Sequence, residues 1–157
     1  MVRRLSYSVC SQPKFIRNGK TFFRTGTLGF IDEDGYFTPT DRKSRFFINS
    51  TANKVYLDNV QRIIGMADCR IADCAAVKQP DENELFVVKA FVVLEEGVEP
   101  TEEIKKEIAE KLQGPISANG KTEQLKKYEI PAVIEFIECL PRVAGTEKVD
   151  YKELEEK

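Results

Sequence analysis

Apolar residues in the second half of the chain follow two different periods. Residues 85–94, LFVVKAFVVL, form a nearly continuous apolar run, which is typical of a strand covered on both faces. Two further strands are predicted by IADCAAV and AVIEFIECL, and QPDENE, with Pro80, is predicted to be a turn. TEEIKKEIAEKLQ repeats Ile and Leu at helical spacing, and Thr101 is placed to cap that helix. The pattern predicts a short sheet with a helix against it.

The first half alternates short aromatic runs with turns. TFFRTGTLGFID and YFTPT flank an acidic turn at 32–35, which predicts a β-hairpin. RFFINS predicts another strand, and VYLDNVQRIIGM places its apolar residues at helical spacing. The aromatic side chains of this half are expected in the core or in cross-strand pairs. They are Phe22, Phe23, Phe30, Tyr36, Phe37, Phe46 and Phe47.

Together these elements predict an α/β fold, α+β in some schemes. An N-terminal β-hairpin is followed by a small mixed sheet flanked by helices. Near the end of the chain, GPISANGKT is predicted to be a loop, and EQLKKYEIP a short helix ended by Pro131. The tail YKELEEK is predicted to be a polar helical turn.

Composition narrows the possible chemistry. The chain has no histidine, which excludes Ser-His-Asp and Cys-His catalysis and most catalytic zinc sites. Its four cysteines form no CxxC pair, so we predict no metal site and ordinary thiols in a reducing cytosol. No apolar run is long enough for a membrane span or a signal peptide, so we expect a cytoplasmic protein.

Charge is distributed unevenly along the chain. Residues 1–45 hold nine Lys/Arg and four Asp/Glu, a net +5, while residues 46–157 hold fifteen and twenty-two, a net −7. A basic first segment is typical of polyanion binding, but it also occurs as plain solvated charge. No nucleic-acid-binding motif accompanies it, so we expect no nucleic-acid partner.

Five short motifs occur in a fixed order between residues 21 and 154. They are FRTGTLGFIDEDGYF at 23–37, DRKS at 41–44, KVYLDNVQ at 54–61, LKKYEIP at 125–131 and LPRVAGTEKVDY at 140–151. In this order and spacing they resemble the C-terminal part of the adenylate-forming, or AMP-binding, superfamily. That superfamily includes acyl-CoA synthetases, the adenylation domains of peptide synthetases, and luciferases.

The resemblance implies a role for four residues. Lys148 matches the family's adenylation lysine, which neutralises charge as a carboxylate attacks the α-phosphate of ATP. Arg42 matches an arginine that binds the ribose hydroxyls of the nucleotide, and Thr27 stands at the position of the ribose-binding aspartate. Ser44 matches the hinge about which the family's small domain rotates between adenylation and thioester formation.

The same resemblance predicts the domain organisation. It places residues 1–44 at the end of the family's large domain, with the hinge near Ser44, and residues 45–157 in the mobile C-terminal domain. The family's phosphate-binding loop and acyl pocket lie in a large N-terminal domain that 157 residues cannot contain. We therefore expect that domain as partner, in the same gene or as a split product. It would bind most of the ATP or AMP, the Mg, and the CoA or carrier thiol, and this chain alone would be inactive.

Departures from the family pattern leave two functions open. Thr27 lacks the carboxylate that accepts both ribose hydroxyls, and Glu147 stands where the family has glycine. An acid there offers Lys148 an ion-pair partner that would weaken its charge, and the loop is one residue longer than the family's. The chain is therefore either the lid domain of an AMP-forming acyl-CoA ligase or a degenerate, non-catalytic lid domain that serves as an interaction or regulatory module.

Overall fold

The structure, a computed structural model, describes residues 14–42, 45–118 and 120–157. These residues form two compact units, one within residues 1–45 and the other spanning Phe46–Lys157. The predicted hinge residue, Ser44, lies outside the described residues, as does Cys10. The assignment of the first segment to the end of a larger domain stays a prediction.

The first unit contains two β-hairpins. Strands β1 (Lys14–Arg17) and β2 (Lys20–Phe23) pair around Asn18-Gly19, where both residues have positive φ. Strands β3 (Thr27–Ile31) and β4 (Phe37–Arg42) form the predicted hairpin around the acidic turn. Gly29 is required there, because a Cβ at this position would collide with the Thr38 carbonyl oxygen.

The aromatic side chains of this unit are more exposed than predicted. Phe22 stacks on Phe15 across the first hairpin, as expected for a cross-strand pair. Phe23 and Tyr36, however, are 62% and 73% exposed, so their assignment to the core is wrong. Isolated two-stranded hairpins have too little apolar surface to bury aromatic side chains on both faces.

The described part of the second unit contains ten elements, which form the predicted α/β fold. In chain order they are β5 (Phe46–Ile48), β6 (Lys54–Tyr56), α1 (Leu57–Ala67), β7 (Ile71–Asp81), β8 (Leu85–Leu94), α2 (Glu102–Gln113), β9 (Ile116–Ala118), β10 (Lys121–Glu123), β11 (Val133–Phe136) and, near the end, α3 (Tyr151–Glu155). The predicted cap is confirmed, since the Thr101 hydroxyl accepts a hydrogen bond from the Ile104 amide.

The main sheet has three strands in the order β11-β8-β7. Strand β8 pairs antiparallel with β7 and parallel with β11, so the sheet is mixed, as predicted. Strand β7 continues through Pro80 to Asp81, and the turn predicted over QPDENE is shorter than expected. Proline is compatible with this position because β7 is an edge strand of the sheet.

Apolar clusters cover both faces of β8. Helix α1, with Val60 and Ile64 fully buried, and helix α2 belong to the cluster that includes Ala90 and Val92. On the opposite face, Phe91 packs with Leu140 and Leu154. Burial of both faces of β8 therefore explains the continuous apolar run, as expected from the sequence.

Two predictions for residues 114–131 are wrong. The predicted loop contains a small hairpin, in which β9 and β10 pair as far as Ala118 and Lys121. The predicted helix over EQLKKYEIP is absent, and residues 127–129 form a turn instead. In this turn the Glu129 amide donates to the Lys126 carbonyl, and the Glu129 carboxylate accepts from the Lys126 amide. Such local side-chain bonds compete with helix formation.

Asp68, at the end of α1, is the centre of a buried ionic network. Its carboxylate, with 1% of the side chain exposed, accepts from Arg70 and from the Lys111 ammonium at 2.7 Å. Arg70 also pairs with Glu107 on α2. Hydrogen bonds from Arg70 above all hold the pKa of the Asp68 carboxyl well below its usual range. The network therefore ties α1 to α2.

Among the described residues, no helix is long and apolar enough to cross a membrane.

We expect Asp68→Asn to lower the free energy of unfolding by about 1–3 kcal/mol near neutral pH, because Arg70 and Lys111 lose a buried charged acceptor. A folded pKa below the usual value stabilises the fold above about pH 4, and this contribution declines as the pH falls further. The difference in the free energy of unfolding between wild type and Asp68→Asn should therefore be smaller at about pH 3 than at about pH 7. Urea unfolding at the two pH values measures it. Glu110→Gln, at an exposed pair, is the matched control. A difference that does not depend on pH would contradict the prediction.

We expect Leu154→Ala to lower the free energy of unfolding by about 2–4 kcal/mol, because it opens a cavity in the cluster around Phe91. The measurement is the urea midpoint, with Leu85→Ala as the matched control at a 58% exposed leucine. Equal midpoints for the two variants would show that α3 is not part of the folded core.

Candidate active site

Residues 141–149, here called the lysine loop, leave the core and return to it. Leu140, just before the loop, is buried on the α3 face of the sheet, and Val149 packs against the same cluster. Arg142 and Val149 form an antiparallel bridge, and the Asp150 amide donates to the Pro141 carbonyl at 2.8 Å. The two arms of the loop are therefore held together at their base.

A tight turn closes the far end of the lysine loop. The Thr146 amide donates to the Val143 carbonyl at 2.9 Å, and Gly145 has a φ of +73° within this turn. Glycine adopts that conformation without strain. The Thr146 hydroxyl also donates to the Val143 carbonyl and accepts from the Lys148 amide, at 3.0 and 3.2 Å. The turn therefore orders the backbone directly before Lys148.

Lys148 presents its side chain to solvent. Its backbone carbonyl accepts from the Val143 amide at 2.8 Å, while its side chain is exposed. Within residues 14–42, 45–118 and 120–157, its ammonium forms no ion pair, and the expected pairing with Glu147 is not formed. The ammonium of Lys148 is therefore a solvated charge on an ordered loop.

Arg142 links the lysine loop to strand β7. One guanidinium nitrogen donates to the Asp73 carboxylate at 2.7 Å, and the other donates to the Glu147 carbonyl at 2.8 Å. The sequence alone does not predict this contact, because Asp73 and Arg142 lie 69 positions apart. The only sequence signal is that both residues stand in predicted features, Asp73 at the start of a strand and Arg142 in the Leu-Pro-Arg motif. Only the fold shows that they meet.

Thr27 and Arg42, the predicted nucleotide-binding residues, occupy paired positions. They lie opposite each other where β3 and β4 pair, and the Thr27 amide donates to the Thr25 hydroxyl. The hairpin of β3 and β4 therefore brings these two positions together on neighbouring strands. Both belong to the first unit, and Lys148 belongs to the second.

A separate groove of about 380 Å³ runs between α1 and the start of β7. Its lining includes Asp58, Gln61, Asp73 and Cys74. Burial above all raises the pKa of the Cys74 thiol to about 12, so this sulfur is neutral and unsuited to nucleophilic attack. The described part of the chain contains no group of three or more acidic, cysteine or histidine side chains arranged to hold a metal ion.

Curated relatives match most of this chain. The 4-hydroxybutyrate–CoA ligase 1 of Metallosphaera sedula is 28% identical over 137 residues, which are 86% of this chain and 22% of that ligase. The mitochondrial acyl-coenzyme A synthetase ACSM3 of Rattus norvegicus is 36% identical over 138 residues, which are 87% of this chain and 22% of that synthetase. The chain thus spans less than a quarter of the length of these two relatives.

A solved structure and a family description agree with these matches. ATP-bound MatB from Rhodopseudomonas palustris superposes with a TM-score of 0.69 at 27% identity, over 89% of this chain and 25% of MatB. Residues 66–147, just over half of the chain, match the family described as the AMP-binding enzyme C-terminal domain, and the match ends one residue before Lys148. The chain therefore belongs to the AMP-binding enzyme C-terminal domain family, as the motif order predicted.

Proposed function

We propose that this chain acts as the lid domain of an AMP-forming acyl-CoA ligase, in which an acid is adenylated and then transferred to a thiol. Its two reported relatives are a CoA ligase and an acyl-CoA synthetase. The observation that carries the proposal is the exposed Lys148 ammonium on a hydrogen-bonded loop, with no ion pair among the described residues.

Lys148 supplies positive charge in the adenylation step. As a carboxylate attacks the α-phosphate of ATP, negative charge increases on the phosphate and on the departing pyrophosphate. An ammonium on a flexible stem is a point charge that stabilises such a transition state. The hydrogen bonds of the lysine loop hold the backbone of Lys148, while its side chain stays free to reach the nucleotide.

The first unit contributes nucleotide contacts in this proposal. Arg42 binds the ribose hydroxyls, and the Thr27 hydroxyl, on the neighbouring strand, contributes a weaker hydrogen bond. A hinge near Ser44 separates residues 1–44, which end the large domain, from the lid formed by residues 45–157. Rotation about it removes Lys148 from the site after adenylation and presents another lid face for thioester formation.

The remaining parts of the catalytic machinery come from a large N-terminal adenylation domain, in the same polypeptide or as a split partner. That domain binds most of the ATP with its Mg, and the CoA or carrier thiol. ATP is bound in the MatB structure, which supports the nucleotide assignment. We place the reaction in the cytoplasm, in keeping with the exposed free thiols of Cys69 and Cys139.

We expect Lys148→Ala to reduce carboxylate-dependent ATP–pyrophosphate exchange about 100- to 1,000-fold, because it removes a charge that acts in the transition state. The assay uses a chimera in which this chain replaces the matching quarter of MatB, with MatB's own acid as substrate. Lys106→Ala is the matched control, since Lys106 is an exposed lysine on α2. This chain without a large domain should show no exchange.

Two outcomes contradict the catalytic proposal. Equal exchange by the wild-type and Lys148→Ala chimeras would show that this lysine does not take part in adenylation. A chimera that is folded but inactive, while MatB itself is active, would favour the non-catalytic lid domain, which the departures at Thr27 and Glu147 also favour.

We expect Arg42→Ala to raise the KM for ATP in the same chimera about tenfold, because charge-assisted hydrogen bonds to the ribose are lost. Thr27→Val should have a smaller effect in the same direction, since it removes a neutral hydroxyl. Arg17→Ala, an exposed arginine on β1, is the control. A KM for ATP that does not change in Arg42→Ala would remove Arg42 from the nucleotide site.

A further inference from the structure

We propose that Arg142 is the positioning residue for Lys148, and that it transmits the rigidity of strand β7 to the lysine loop. The catalytic consequence of this inference rests on the proposed function. The positioning itself is a property of the chain and is tested without activity.

Arg142 holds the backbone directly before Lys148. Its guanidinium donates to the carbonyl of Glu147 at 2.8 Å. Arg142 also lies opposite Val149 in the antiparallel bridge. Two hydrogen bonds close that bridge, from the Val143 amide to the Lys148 carbonyl and from the Asp150 amide to the Pro141 carbonyl. The arginine side chain therefore adds to the bridge a contact with the residue before Lys148.

Asp73 provides the fixed end of this connection. One carboxylate oxygen accepts from the Cys74 amide at 2.8 Å, and the other accepts from Arg142 at 2.7 Å. Cys74 is buried in the main core, so the amide that orients the carboxylate belongs to a packed part of β7. A continuous path of hydrogen bonds therefore runs from β7 through Asp73 and Arg142 to the carbonyl of Glu147.

The geometry calls for an arginine at this position. A guanidinium donates from separate nitrogens in fixed directions, and here one nitrogen faces the carboxylate while the other faces the carbonyl. A lysine ammonium has no such planar fork. The side chains of Arg142 and Asp73 are 43% and 42% exposed, so their ion pair contributes little to global stability. Loss of the pair should therefore change the order of the loop rather than the stability of the fold.

The experiment compares Arg142→Gln, Arg142→Lys and Asp73→Asn in the full chain. The measurement is the heteronuclear ¹⁵N NOE of the amides of residues 144–148, together with the melting temperature. Arg62→Gln is the matched control, because it breaks an arginine–carboxylate pair of similar exposure, with Glu123, on another part of the surface.

Arg142→Gln should lower the NOE across residues 144–148 to values typical of flexible backbone, with a change in melting temperature no larger than that of Arg62→Gln. Asp73→Asn should lower the NOE in the same direction, and Arg62→Gln should leave it unchanged. Arg142→Lys should give intermediate values, because it keeps the charge and loses the fork. A loop as ordered in Arg142→Gln as in wild type would overturn the proposal. Wild-type order in Arg142→Lys would overturn the requirement for two donor nitrogens.

The catalytic arm uses the MatB chimera after Lys148→Ala has been measured. If that variant has lost exchange, Arg142→Gln should lower kcat for exchange about 10- to 100-fold with little change in the KM for ATP, as expected for a misplaced catalytic group. If Arg142→Gln lowers the NOE of the loop but leaves kcat for exchange unchanged, the catalytic consequence is overturned. If Lys148→Ala has no effect, the proposed function fails, and the NOE measurements alone decide whether Arg142 positions the loop.

Discussion

Strand β8 is buried on both faces, and this burial is the condition on which the rest of the second unit depends. Helices α1 and α2 share the cluster on one face, and Leu140 and Leu154 cover Phe91 on the other. A sheet of three strands has no spare apolar surface, so each covering element has to be present. The second face is covered by the segments on either side of the lysine loop. The folded core therefore fixes the two ends of the lysine loop.

The lysine loop combines firm attachment with an exposed end. It leaves the core after Leu140 and returns to it at Val149, and the pair between Arg142 and Asp73 adds a lateral connection to β7. In the proposed function, Lys148 has to reach a nucleotide bound by another domain and then withdraw. An ordered backbone with a solvated side chain is suited to that role, because the charge is accessible and the position of its Cα is fixed.

Long periodic segments were predicted correctly, whereas two short segments between α2 and β11 were not. The apolar run of β8 and the stripe of α2 each contain enough residues to define a period. Strands β9 and β10 have three residues each, too few for a pattern, and the only local sign of their pairing is Asn119-Gly120. The missing helix before Pro131 reflects bonds between Lys126 and Glu129 that propensity does not capture.

The order of residues alone was sufficient to predict the fold class and the family, because motif spacing and apolar period are one-dimensional properties of a chain. Whether Glu147 neutralises Lys148 is not such a property. The answer depends on where each side chain lies, and in the folded loop the Glu147 carbonyl accepts from Arg142 while no ion pair joins the two side chains. The contact between Arg142 and Asp73 likewise exists only because the fold brings together residues 69 positions apart. Neighbouring residues in the sequence need not form a contact, and residues far apart in the sequence can. Only the tertiary structure determines which side chains meet.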